Sequence, residues 1–393
     1  MRGPFRFFLT ALLGLGLAAC RPVEEETRVY GAAATSGTSA APASTSASTP
    51  SASAAPAHAG PTWPSIGPTW PSIGPTWRSK LELAAWLPYW DKARGLASLR
   101  ALYGSAREIS PFWYRAQADG TIKGDTGAGD AALIAELHQN GILVLPTIRA
   151  EFSLNLSTGA NPVDDPVRRA KLVTELAALA QRIDADGLDL DFEGMTENQR
   201  AGFSALARDL GAVLRADRRL LSVTVVSKTS SPGKWSGQRS HDYLELGKAA
   251  DRLRVMAYDE HWSGGAPGPV ASIPFVTQVL DFAVTRVARD KLVLGVPFYG
   301  YDWSSAGGRA KGVVYEEALA LAAQMGQTPV YDATQGEAHF QYSASGATHT
   351  VWFSTPKSQA ERAKLASARG LRGVCAWRLG GEPAAYWDSI KNP

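Results

Sequence analysis

One run of eight residues constrains this chain more than any other: Asp186-Gly187-Leu188-Asp189-Leu190-Asp191-Phe192-Glu193. Successive side chains of a strand point to opposite faces. Leu188, Leu190 and Phe192 therefore share one face, and Asp189, Asp191 and Glu193 share the other. A buried carboxylate costs several kcal/mol unless it is paired or hydrogen-bonded, and neighbours along one strand face stand only about 6.5–7 Å apart. Their mutual repulsion raises at least one pKa and keeps a proton available near neutral pH, which is how a general acid is prepared. A solvent-facing acidic strand would not have so continuous an apolar face behind it. A calcium loop starting at Asp189 would need an acidic ligand at its twelfth position, which is Arg200.

The surrounding pattern extends this strand into a fold class. Strand-like segments lie near 81–87, 108–114, 142–148, 186–192, 220–227, 253–259, 291–298 and 371–378. Amphipathic stretches alternate with them: Leu172, Leu176, Leu179 and Ile183 precede the acidic strand, and Phe203, Leu206, Leu210 and Val213 follow it at helical spacing. Eight strands in βα alternation predict an α/β chain folded as a (β/α)8 barrel, whose C-terminal strand ends carry the chemistry. The seventh connection is too long for one helix. Within about 305–355 the pattern predicts a helix over Val314–Met325 and strands over Thr328–Asp332, His339–Ser345 and Thr348–Ser354, a small α+β insertion between strands 7 and 8. The catalytic unit is thus expected over residues 81–393.

The first eighty residues differ in kind. Arg2, Arg6 and the apolar run Phe7–Leu17 lead to Leu17-Ala18-Ala19-Cys20, the layout of a lipoprotein signal peptide over 1–20, with Cys20 as the lipidated residue and a membrane as partner through that anchor. An ordinary cleaved secretory signal is the alternative, and both export the chain. Residues 21–80 form a low-complexity tether. From Gly31 to Gly60 the composition cannot bury enough apolar surface to offset ordering entropy. GPTWPSI then repeats, and the two prolines per unit favour a linker over a sugar-stacking strip of Trp63, Trp70 and Trp77. This region holds six Lys/Arg and three Glu, the whole net charge of +3; the remaining 34 basic and 34 acidic residues cancel, so nothing points to nucleic acid. With Cys20 acylated, Cys375 has no intrachain partner and is expected as a core thiol. The six histidines show no metal-binding spacing, so neither a metal nor another cofactor is expected.

The run Asp186–Glu193 matches Asp-Gly-x-Asp-x-Asp-x-Glu at every specified position and so resembles glycoside hydrolase family 18, the chitinase-like enzymes. Met256-Ala257-Tyr258-Asp259 is similar to that family's Met-x-Tyr-Asp, and Ala376-Trp377 to its strand-eight end. The resemblance implies that Glu193 protonates the leaving glycosidic oxygen while the substrate's own acetamide attacks the anomeric carbon, a retaining route without a carboxylate nucleophile. It implies further that Asp191 orients the acetamide, that Asp189 shares a proton with Asp191, that Tyr258 hydrogen-bonds the acetamide, and that Asp259 and Met256 line the same subsite. Trp377 would lie under the sugar at the cleavage site, since a flat indole suits a pyranose face. Tyr299 and Trp303 after strand seven, Trp113 after strand two, and Tyr89 and Trp90 after strand one are further candidates for substrate binding.

The departures also inform. Where chitinases of the family carry Ser-x-Gly-Gly, this chain has Leu145-Pro146-Thr147-Ile148-Arg149, and Tyr258–Trp262 followed by Pro267–Ala271 looks more like the spore-cortex and cell-wall branch. The chain is accordingly expected to be a monomeric, envelope-anchored hydrolase of β-linked N-acetylglucosamine glycans, peptidoglycan first and chitin second. The rival is a carbohydrate-binding barrel that has lost its acid, and the presence of Glu193 argues against it.

Overall fold

A computed structural model describes residues 81–151 and 161–393. The expected signal peptide with Cys20 and the expected Trp-bearing tether lie outside the described residues. β1 (Glu82–Pro88) is followed by β2 (Ala106–Ala116), on which a short antiparallel β3 (Ile122–Gly124) folds back. β4 (Leu143–Val144) and β5 (Thr147–Ala150) both pair with β2 in parallel and together make the third barrel strand. The expected continuous strand over 142–148 is divided there because Pro146 lacks an N–H for the ladder. β6 (Gly187–Asp191), β7 (Leu220–Val226), β8 (Arg252–Met256) and β9 (Leu292–Pro297) follow.

β10 (Gly300–Ser304), β11 (Lys311–Val313), β12 (Val330–Asp332), β13 (Glu337–Ala344) and β14 (Ala347–Phe353) form a separate antiparallel sheet with a helix over Tyr315–Gln324. β15 (Gly373–Trp377) completes the barrel, since β1 pairs with both β2 and β15 and leaves no free edge. The (β/α)8 barrel with an α+β insertion is therefore the fold. The insertion begins earlier than about 305: β10 pairs with β14 from Gly300 onward. Residues 299, 301 and 303 are aromatic at every second position, which is a strand signal in itself.

The helices form for local reasons. Asp165 caps the helix Pro166–Arg182 by accepting from the backbone N–H of Val167 and Arg168, with Pro166 at the first turn, and Leu172, Leu176 and Leu179 are buried against the barrel. In the helix Arg200–Ala216 the buried stripe is Phe203, Leu206, Ala207, Leu210 and Leu214. Val213, expected in that stripe, is 42% exposed, because 3.6 residues per turn carry the inward face on to Leu214.

The main apolar core lies between strands and helices and includes Leu188, Leu190 and Phe192. The barrel interior holds a small apolar cluster of Ala84, Trp86, Phe112, Val293 and Cys375, with Trp90 and Trp377 packed on it. It also holds many buried polar groups: Glu108, Ser110, Thr147, Asp189, Ser222, Thr224, Arg252 and Arg254. Such a lining departs from the branched aliphatic layers usual in these barrels. Among the described residues, no helix is long and apolar enough to cross a membrane.

Candidate active site

The acidic face of β6 is turned into the barrel. Gly187 begins the strand because a Cβ there would stand 2.2 Å from the Leu220 carbonyl oxygen of the neighbouring strand. Asp189, wholly buried, accepts from Trp86 Nε1 and Thr147 Oγ1 at 3.0 Å each and from Thr224 Oγ1 at 3.1 Å. Arg254 Nη1 stands 3.0 Å from the same carboxylate. Asp191, the last residue of β6, is also buried. Burial, followed by the charge of Asp189, pushes its carboxyl up to about 8 against the opposing pull of Arg149 and Arg254. Glu193 follows two residues later, just past the strand end and partly exposed.

Tyr258 approaches from the C-terminal end of β8. It is buried, and burial together with the charges of Asp191, Glu193 and Asp259 drives its hydroxyl well above the usual phenol range, so it remains a donor among carboxylates. Met256 shares the inward face of β8 with Arg254, two residues earlier. Asp259 has a left-handed backbone, with φ of 56°, a conformation that Asp tolerates better than most residues. Its Oδ1 accepts from Tyr299 at 2.5 Å and from Tyr301 at 3.2 Å. These contacts couple the β8 loop to the insertion.

Trp377 ends β15 half-buried and packs on Phe112, Trp86 and Trp90, with ring centroids 5.3, 5.8 and 6.4 Å away. Trp90 lies edge-on to Tyr89 and Phe112, with the Arg378 guanidinium 5.8 Å above its ring. The structure thus brings Asp189, Asp191, Glu193, Tyr258, Asp259 and Tyr299 to one end of the barrel, with Trp90 and Trp377 forming an aromatic wall.

Two expected substrate contacts are corrected. Trp113 is buried in the core between strands and helices, since β2 sends Glu108, Ser110 and Phe112 inward and therefore Trp113 outward. Trp303 is buried on β10, its indole N–H donating to the Trp262 carbonyl at 3.3 Å and its ring against Tyr301. Both are packing residues. Cys375 is a buried thiol in the barrel interior, its pKa raised by burial. Among the described residues, no group of three or more His, Cys, Asp or Glu side chains is arranged to hold a metal ion.

The surroundings of these groups were not legible in the sequence. Trp86, Thr224, Arg254, Glu108 and Ser110 form the polar interior, and their signal was the alternation of Arg252-Leu253-Arg254-Val255 and Glu108-Ile109-Ser110 within strands. Arg149, noted only as part of a departure, sits 5.0 Å from the Phe112 ring centroid and pairs with Asp125 at 2.6 Å. His241 was also missed. Its Nδ1 accepts from the Val226 N–H at 3.1 Å and its Nε2 lies 3.2 Å from the Phe192 carbonyl, which requires the Nε2–H tautomer and pins the backbone next to Glu193.

A closed parallel barrel with a strand of carboxylates at its C-terminal mouth and an aromatic wall beside them defines a glycoside hydrolase of the barrel class. The chain belongs to glycosyl hydrolases family 18, whose model matches residues 149–382. It is 31% identical over 296 residues to a Bacillus subtilis protein named as a sporulation-specific glycosylase, YdhD, covering 74% of this chain and 69% of that one. It is 29% identical to the cortical fragment-lytic enzyme of Bacillus anthracis, over 71% of this chain and 68% of the relative. Among solved structures, a chitinase from Chromobacterium violaceum superposes with a TM-score of 0.72 at 29% identity, covering 79% of this chain and 98% of that one. The Bacillus cereus spore cortex-lytic enzyme SleL superposes at 0.68 and 26% identity, over 79% and 74% of the respective chains.

Proposed function

We propose that this glycoside hydrolase cleaves β-linked N-acetylglucosamine-containing glycans, peptidoglycan before chitin, by a retaining mechanism in which the substrate's acetamide is the nucleophile. The observation that carries the reading is the direction of the carboxylates. Asp191 is the last residue of β6 and Glu193 follows two positions later, on the same side by the alternation of the run, so Asp191 is badly placed to attack the anomeric face opposite an acid at Glu193. Asp259, the carboxylate on the neighbouring loop, is engaged by two tyrosine hydroxyls.

In this mechanism Glu193 gives its proton to the leaving oxygen, and the acetamide oxygen closes on the anomeric carbon to form an oxazolinium. Glu193 then takes a proton from the water that opens that ring. Asp191 and the Tyr258 hydroxyl hold the acetamide, and Trp377 with Trp90 receives the apolar face of the sugar. Binding strength is spent on the charge that develops at the ring.

Peptidoglycan comes first because the N-terminal sequence reads as a lipid-anchored tether, so we also propose that the chain is exported and held in the cell's own envelope through Cys20. Similarity to cortex-lytic relatives supports the same order. Product masses from purified peptidoglycan and from chitin oligomers test the substrate order. A thiazoline analogue of the oxazolinium should inhibit, and fully deacetylated glycan should be inert. Equal rates on acetylated and deacetylated polymer would overturn the mechanism. Cys20→Ala should move the protein out of the membrane fraction without altering turnover.

A further inference from the structure

Arg254 leaves β8 toward the barrel axis and is wholly buried. Its Nη1 stands 3.0 Å from Asp189 Oδ2 and donates to Ser110 Oγ at 2.8 Å; its Nη2 pairs with Glu108; its guanidinium lies over the Trp86 ring, 5.2 Å from the centroid. Below it the signs continue to alternate. Arg252 is 3.5 Å from Glu108 and 3.9 Å from Glu82, and Arg372 is 2.9 Å from Glu82. Glu82, Arg252, Glu108, Arg254 and Asp189 thus form a column through the barrel in which each charge faces the opposite sign.

The alternation stops at Asp191. Its neighbour on the strand face is Asp189, of the same sign, and its Oδ1 is buried without a hydrogen bond among the described residues. Arg149 sits opposite Asp191 in the β5–β6 register, but its guanidinium is engaged by Asp125 at 2.6 Å and Tyr89 at 3.4 Å. The other groups that face this pair are Tyr258, Glu193 and Asp259 at the mouth and the neutral thiol of Cys375 on β15.

We propose that Arg254 is a positioning residue for catalysis: by pairing directly with Asp189 it holds that side chain as a carboxylate and so confines the buried proton of the acidic strand to Asp191, next to Glu193. Two carboxylates this close in a low-dielectric interior do not both ionise, and the proton goes to the one farther from the cation. The three donors converging on Asp189 from Trp86, Thr147 and Thr224, with the Arg254 guanidinium paired beside them, suit an acceptor-only carboxylate. The high proton affinity of Asp191 agrees with this placement. The inference rests on the functional reading above only in naming Glu193 as the group served.

The test is carboxyl-carbon NMR of the full chain labelled at aspartate Cγ, with signals assigned through Asp189→Asn and Asp191→Asn. In the unmodified protein the Asp191 carbon should move from its protonated to its ionised shift around the value of about 8 given by its surroundings. The Asp189 carbon should show its ionised shift wherever the Asp191 carbon shows its protonated one. Arg254→Met combined with Glu108→Leu removes the guanidinium beside Asp189 together with its buried partner, and leaves Arg252 to Glu82. In that variant both carbons should titrate together, and the basic limb of the pH–rate profile should rise by at least one pH unit; Arg254→Lys should restore separate titration. A protonated shift at Asp189, or no protonated shift at either carbon near pH 6, overturns the proposal in the unmodified protein even if the double variant fails to fold. A chain that titrates as expected yet cleaves no glycan would remove the functional reading and leave this assignment standing.

Discussion

Asp189 and Asp191 stand two residues apart on one face of β6 in sharply different surroundings: Asp189 accepts three hydrogen bonds and pairs with a guanidinium, whereas Asp191 Oδ1 is buried with no hydrogen bond among the described residues. The strand's two aspartates are thus chemically distinct, and the difference comes from the neighbouring strands.

Glu193→Gln should lower kcat on an acetylated glycan by at least about 10²-fold, since the amide is nearly isosteric but cannot supply a catalytic proton. Glycan binding measured by calorimetry and the thermal midpoint should both stay close to those of the unmodified protein. Retention of more than a few per cent of the activity would assign the acid elsewhere.

Asp191→Asn should make the protein more heat-stable above neutral pH while impairing turnover. Asp191 binds its proton more tightly folded, at about 8, than unfolded. Between the unfolded value and about 8 the native state holds more protons, so this group's contribution to stability falls as pH rises through that window. The neutral amide removes that loss, worth on the order of a few kcal/mol at pH 8. Melting curves from pH 5 to pH 9 check it: the gap between variant and parent should widen with pH, and a constant gap would contradict the assignment.

His241→Ala should lower kcat by roughly tenfold with little change in KM, because a small displacement of a reacting group is costly and the backbone at Phe192 loses its tie to β7. Burial first, then the charge of Lys228, holds this imidazole down at about 4 despite the hydrogen bond to Phe192. The unfolded chain therefore takes up a proton before the folded one does, and stability supplied by the neutral ring is lost as pH falls through the window from about 6.5 toward 4. Steady-state kinetics and melting curves at pH 4.5 and 7 separate the two effects.

Glu337→Gln should destabilise the chain by roughly 3 kcal/mol, since it strands the wholly buried Arg362. Glu337 also accepts from the backbone N–H of Val270 and Ala271, at 2.8 and 3.2 Å, and Arg362 donates to the Ala271 carbonyl at 2.6 Å. These bonds tie the insertion and the helix Pro356–Ala368 to the loop that begins at Asp259. The denaturant midpoint should fall, and adding Arg362→Met should recover part of it.

The sequence by itself determined what is local or periodic. Alternation of period two located the eight barrel strands and the two faces of β6, helical spacing located the flanking helices, and the specified positions of Asp186–Glu193 indicated the carboxylate chemistry. These signals survive in one dimension because each depends on residues within a few positions of one another. Only the tertiary structure decided what surrounds each carboxylate. Trp86 reaches Asp189 across 103 positions, and Arg254 reaches Glu108 across 146. Period two could not say which tryptophans face the barrel axis, so Trp113 and Trp303 looked as suitable as Trp90. Closure of the barrel turned Trp113 outward and the insertion sheet buried Trp303, because the inward side of a strand is set by its pairing with distant neighbours.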